Sequence, residues 1–171
     1  MIEWIREGSL VLPIGMSAVK DHLRLDGDNT QDSYLDSIQA RAISIIETQA
    51  NRVIVKSYYK AIISGEIKGN IKITKAPLLS LIVRVIDPAT GLFELYDKPI
   101  QVKYGTNPYM RFDWNKNDEY NIVGEFGYQK IPDSVQHLIL QIMTHIYENT
   151  TYMEDDDVVK GINSIRILNV I

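Results

Sequence analysis

Ile131-Pro132-Asp133-Ser134-Val135-Gln136-His137-Leu138-Ile139-Leu140-Gln141-Ile142-Met143-Thr144-His145-Ile146-Tyr147-Glu148-Asn149 is the stretch from which the fold can be read. Pro132 is tolerated in a first helical turn, where an N–H would lack an intrahelical partner anyway. Asp133 and Ser134 complement the unpaired amides and the dipole at that end. Val135, Leu138, Ile139, Ile142, Met143 and Ile146 then recur at i, i+3, i+4 and i+7, one face of a helix. Gln136, His137, Gln141, Thr144, His145 and Glu148 fall largely on the other side. The spacing predicts a core helix of about sixteen residues, about 24 Å long, on which the rest of the chain packs.

Upstream of this helix the apolar period is two. Ile122, Gly124 and Phe126 alternate with Val123 and Glu125, and Met110, Phe112 and Trp114 with Arg111 and Asp113. Ile100, Val102 and Tyr104 alternate with Gln101 and Lys103, and Ile71 and Ile73 with Lys72 and Thr74. Asp87-Pro88-Ala89-Thr90-Gly91 has turn chemistry and predicts a hairpin between Leu81–Ile86 and Leu92–Tyr96. Leu78–Ile86 is apolar on both faces apart from Ser80 and Arg84, so it reads as covered by core on one side and by a helix or partner subunit on the other. Gly124 and Gly127 mark bulges or close packing, and Gly65–Asn70 reads as a turn.

Before Arg52 the period returns to 3.6. Met16–Leu25 predicts a helix with Gly15 or Ser17 as its cap and Val19, Leu23 and Met16 as its apolar stripe. After the turn Asp26-Gly27-Asp28-Asn29, Thr30 can cap a second helix carrying Tyr34, Leu35, Ile38, Ala42, Ile45 and Ile46 to about Asn51. Met1–Pro13 is a strand-like arm that docks either on this domain or on a neighbour. The acidic run Glu154–Asp157 reads as a solvated linker. Behind it stand Ile162, Ile165, Ile167, Leu168, Val170 and Ile171, which pack on the core or on another subunit. A deletion of Gly161–Ile171 is then expected to leave the domain folded but to impair assembly.

The fold class is therefore α+β: a helical core of three to four helices with an inserted small antiparallel β region. Residues 1–152 are expected to form one domain, made of an arm (1–15), a helical pair (16–52), the β region (53–128) and the core helix (131–149), with 153–171 as acidic linker and apolar tail. A chain of 171 residues buries about 70% of its unfolded surface and needs no metal or disulfide to fold. It has no cysteine, which removes disulfides, thiolate metal sites and cysteine nucleophiles. The net charge of −4 argues against non-specific nucleic-acid binding. Glu3, Arg6 and Glu7 interrupt any signal-peptide core, and no apolar run reaches the length of a membrane span.

No catalytic constellation emerges. His137 and His145 are eight residues apart on the core helix, too far for one metal ion; with His22 they read as solvent-facing or hydrogen-bonded residues. Gly65-x-x-x-Gly69 lacks the Lys-Ser/Thr of a phosphate loop, Glu154–Asp157 lacks the spacing of a calcium loop, and there is no Gly-x-Ser-x-Gly elbow. Ten tyrosines, concentrated in the β region, suit half-buried strand faces and protein interfaces. No catalytic residue, metal ligand or cofactor is expected.

The order of several fragments resembles the head–tail connector (adaptor, or head-completion) proteins of tailed bacteriophages. Val19-Lys20-Asp21-His22-Leu23-Arg24-Leu25-Asp26 is similar to that family's Lys-x-His-Leu-Arg segment, followed by acidic residues and a helix. Lys75-Ala76-Pro77-Leu78-Leu79-Ser80-Leu81 and Asp87–Gly91 resemble its Pro-apolar-x-Ser strand and hairpin turn. Val123-Gly124-Glu125-Phe126-Gly127-Tyr128, Ile131-Pro132 and Tyr147-Glu148-Asn149 resemble its closing segments. The resemblance covers about Met16–Tyr152; the arm and the acidic run depart from it. It implies a structural virion protein, not an enzyme: a subunit of a homo-oligomeric ring, commonly of twelve copies, that docks beneath the portal protein and extends the DNA channel toward the tail. The partners implied are the portal and a tail or stopper protein, with DNA passing through the channel without specific binding and no membrane. The place implied is the head–tail junction of the virion, reached from the host cytoplasm during assembly. A tail-completion or stopper protein of the same neck is the alternative, and a small enzyme with an unrecognised site a more distant one. Such a ring needs two different faces per protomer; the candidates for them are Leu79, Leu81, Val83, Ile162, Ile165, Leu168 and Ile171.

Overall fold

The computed structural model describes the chain except for residues 1–2, 26–28, 66–69, 88, 106, 114, 116 and 167–171 and the side chain of Glu154. The turn expected at Asp26–Asp28, most of that at Gly65–Asn70, Trp114 in its alternation, and Ile167, Leu168, Val170 and Ile171 lie outside the described residues. The fold is α+β. The chain divides into two compact units, each made from two stretches of sequence: a β unit of Met1–Ser9 and Lys56–Gln129, and a helical unit of Leu10–Val55 and Lys130–Ile171.

In the helical unit, α1 spans Met16–Leu23, α2 Asp32–Ala50, α3 Asp133–Tyr147 and α4 Asp156–Ile165. The stretch that begins at Ile131 forms α3, with Pro132 as its cap and Val135, Leu138, Ile139, Ile142 and Met143 buried; the sixth stripe residue, Ile146, is half-buried. This face packs against α1, α2 and α4. Gly15 caps α1, and Val19 is fully buried. Thr30 is not the cap of α2. The Asp32 amide turns back to the Asn29 carbonyl, and the Asp32 carboxylate pairs with Lys20 at 2.6 Å. Thr30 and Gln31 are thereby absorbed in that turn, and the helix begins at Asp32 with Gln31 before it.

Two buried or half-buried polar side chains fix the ends of this pair. Gln39 is fully buried; its Oε1 accepts the Ile14 amide at 3.0 Å and its Nε2 donates to the Ile14 carbonyl at 3.1 Å. At the other end, Asn51 closes α2 in the left-handed region, and Glu47 Oε1 accepts the amides of Ile54 (2.8 Å) and Val55 (3.3 Å). That use of the amides explains why the β region expected from residue 53 opens its first strand only at Ser57.

The acidic run is not a solvated linker. Tyr152–Glu154 make one 3-10 turn, and the Asp155 carboxylate accepts the amides of Asp157 and Val158 as the side-chain cap of α4. Acidic charge at a helix N-terminus is stabilised by unpaired amides and the dipole, which offsets the mutual repulsion of the run. Val158 and Ile162 are buried on one face of α4, so a deletion from Gly161 removes core and is expected to destabilise the chain rather than leave it folded.

The β unit contains β1 (Ile5–Glu7), β2 (Ser57–Ser64), β3 (Ile71–Lys72), β4 (Leu78–Ile86), β5 (Phe93–Leu95), β6 (Gln101–Lys103), β7 (Tyr109–Arg111) and β8 (Glu119–Phe126). They form two antiparallel sheets, ordered β1-β2-β8-β4-β5 and β3-β7-β6. The N-terminal arm docks on its own chain: Ile5, Arg6 and Glu7 pair with Lys60, Tyr59 and Tyr58, and the Arg6 guanidinium lies 5.3 Å above the Tyr59 ring. The predicted hairpin is present, with β4 and β5 paired and the Asp87 amide bonded to the Leu92 carbonyl at 2.9 Å.

One face of the larger sheet is core. Tyr59, Ala61 and Ile63 of β2, Val83 of β4, and Tyr120, Ile122 and Phe126 of β8 are buried on it. Phe126 stands edge-on to Trp4 and to Tyr59, and Tyr96, Phe112 and Tyr120 form a second cluster of edge-on rings. Gly124 is a close-packing glycine, because a Cβ there would overlap the Phe126 ring.

Candidate functional site

The polar side chains that could carry chemistry are engaged locally. His22 Nε2 lies 3.1 Å from Thr144 Oγ1, and its ring stands edge-on to that of His137 at 6.5 Å. His145 lies between Thr150 Oγ1 (2.7 Å) and Asp155 Oδ2 (3.0 Å). Among the described residues, no three acidic or histidine side chains are grouped as metal ligands, and no helix is long and apolar enough to cross a membrane. A surface cleft of about 620 Å³ beside His145 and Asp155 is lined also by Glu148, Thr150, Thr151 and Asp156.

The feature that stands out is the second face of the five-stranded sheet. Directly paired residues of antiparallel strands share a face, and alternate residues along a strand return to it. The register puts Ile5, Lys60, Val123 and Ile82 in one row across β1, β2, β8 and β4. Ile62, Asn121, Arg84 and Leu95 make the next row across β2, β8, β4 and β5. Tyr58, Glu125 and Ser80 flank the first row, and Ile86 and Phe93 extend the face at the β5 edge. On this face Ile5 is 65% exposed, Leu95 72%, Ile62 55%, Tyr58 52% and Ile82 43%. Isolated exposed aliphatics are ordinary; a contiguous group across five strands marks a surface that meets something.

Its electrostatics differ from end to end. At one end Lys56 Nζ lies 2.8 Å from Glu125. That contact holds the Glu125 carboxyl below the ordinary carboxylate range, against partial burial and with help from the Tyr58 and Ser80 hydroxyls, and it raises the Lys56 ammonium in turn. The other end carries Lys60, whose ammonium reaches to 6.0 Å from the centre of the Phe93 ring, and exposed Arg84.

The residues singled out from the sequence lie elsewhere. Val83 and Ile162 are buried within the chain itself, at 1% and 4% exposure; Leu79, Leu81 and Ile165 are half-buried; Leu168 and Ile171 are outside the described residues. The apolar content of β4 pointed to the right strand but to its inward face. Its alternate residues Ile82 and Ile86, with Ile62 and Ile5, were visible as strand aliphatics, yet period two does not say which face a second layer covers.

No protein-family model matches the chain, and no curated protein matches it. Solved structures do. A chain from the neck of an empty gene transfer agent (GTA) particle, computed with C6 symmetry, superposes with a TM-score of 0.84 at 15% identity, over 99% of this chain and 97% of that one. A chain of the virion of a native GTA particle gives 0.81 at 15% identity, over 98% and 97%. One from the neck of a native GTA particle computed with C12 symmetry gives 0.75 at 15% identity, over the same shares. The whole fold, both units included, is that of chains found in the neck of a phage-like particle.

Proposed function

We propose that this chain is a structural protein of the neck of a tailed phage or phage-like particle: a subunit of the ring that sits beneath the portal at the head–tail junction and carries the DNA channel toward the tail. The observation that carries this reading is the fold match, which spans nearly all of both chains at a TM-score of 0.84. The sixfold and twelvefold symmetries of the two neck structures support assembly as a closed ring, and the open apolar sheet face supplies surface for such contacts. A mildly acidic chain also suits a channel wall, because a basic one would retain phosphates.

Deleting the gene from the genome that encodes it tests the reading. Filled heads and separate tails, joined again when the chain is supplied in trans, are expected. Complete infectious particles without the chain would overturn it.

A further inference from the structure

We infer that the open face of the five-stranded sheet seats the helical unit of a second copy of this chain. The inference rests on the ring reading and deepens it by naming the two faces that meet. A closed ring of identical subunits is built from heterologous contacts, in which one face of a protomer meets a different face of the next. The sheet face supplies one half: Ile5, Ile62, Ile82 and Leu95 on four strands of the one sheet, with Lys60 and Arg84 among them.

Charge selects the other half. The β unit carries eleven Lys and Arg against ten Asp and Glu, a formal +1, whereas the helical unit carries seven against twelve, a formal −5. A sheet-to-sheet contact would bring Lys60 and Arg84 against their own copies. A sheet-to-helix contact brings them against acid, and such complementarity fixes register and orientation. On the helical unit, α2 presents an exposed Asp36 in its first turns. A carboxylate there is suited to a surface that is apolar with two cations set into it. DNA is the less favoured occupant, since only two cations stand among aliphatics where phosphate binding calls for a basic stripe.

The absence of cysteine allows a direct test, because introduced thiols are the only ones in this chain. Particles are assembled from the Ile82→Cys variant, from Asp36→Cys, and from the double variant, then treated with a short bismaleimide and separated under denaturing conditions. The double variant is expected to give a ladder of cross-linked multimers, and each single variant only monomer. Both positions are exposed, and Leu95→Cys offers a second sheet position should Ile82→Cys disturb folding. Dimers from Ile82→Cys alone would show a sheet-to-sheet contact and overturn the inference. Rings present in the particles with no ladder from the double variants, at either sheet position, would overturn the inference while leaving the ring reading intact. Protection of the Ile82→Cys thiol by added duplex DNA, with no ladder, would assign the face to nucleic acid and overturn it too. Particles that contain no copies of the chain would remove both.

Discussion

His145 Nε2 on α3 lies 3.0 Å from the Asp155 carboxylate that caps α4. One side chain thus closes a helix and ties it to its neighbour: Asp155 Oδ1 takes the Asp157 and Val158 amides while Oδ2 faces the imidazole. The His145 contact, chiefly, and then the Val158 and Asp157 amides hold the Asp155 carboxyl below the ordinary carboxylate range, against partial burial. Asp155→Ala should therefore lower the melting temperature. Because the folded state depresses this group, its contribution is complete above the unfolded value of about 3.9 and is lost as the pH falls through the lower folded value. The gap between wild type and Asp155→Ala, followed by thermal melts, should be full at neutral pH and close only below about pH 4. A gap that closes between pH 8 and 6 would contradict this assignment.

Gln39→Leu should destabilise the helical unit although it makes a buried residue more apolar. The substitution strips partners from both the amide and the carbonyl of Ile14, and an unsatisfied buried polar group costs about 1–3 kcal/mol. Urea unfolding of the two proteins measures the difference; equal midpoints would mean that water replaces the side chain.

Gly124→Ala should cost about 1–3 kcal/mol, the usual penalty for overpacking a filled core. The added methyl would overlap the Phe126 ring, which is fully buried and held between Trp4 and Tyr59. The double variant Gly124→Ala, Phe126→Leu should recover part of the loss in the same unfolding measurement, since it removes the clash.

The parts of the fold that were legible in the sequence were those set by one dominant period. The stripe from Val135 to Met143 placed α3, and the turn at Asp87–Gly91 placed the β4–β5 hairpin. Helix α4 was obscured by a conflict of signals: Val158, Ile162 and Ile165 have helical spacing, but four successive acids read as a solvated tether until one of them is seen to be a cap. The burial of Gln39 could not be read locally, because its partners lie twenty-five residues away at Ile14. The site was only half legible. The sequence located apolar excess in β4, whereas the open face is composed across five strands by the register, and a one-residue difference in facing separates Val83 in the core from Ile82 at the surface.

Electron cryomicroscopy of tailed particles containing this chain tests the central claim most directly. The account predicts a ring of copies at the head–tail junction, surrounding the DNA channel, with the four helices and two sheets resolved in each copy. Particles in which the junction is built without this chain, or in which the chain lies elsewhere, would contradict it.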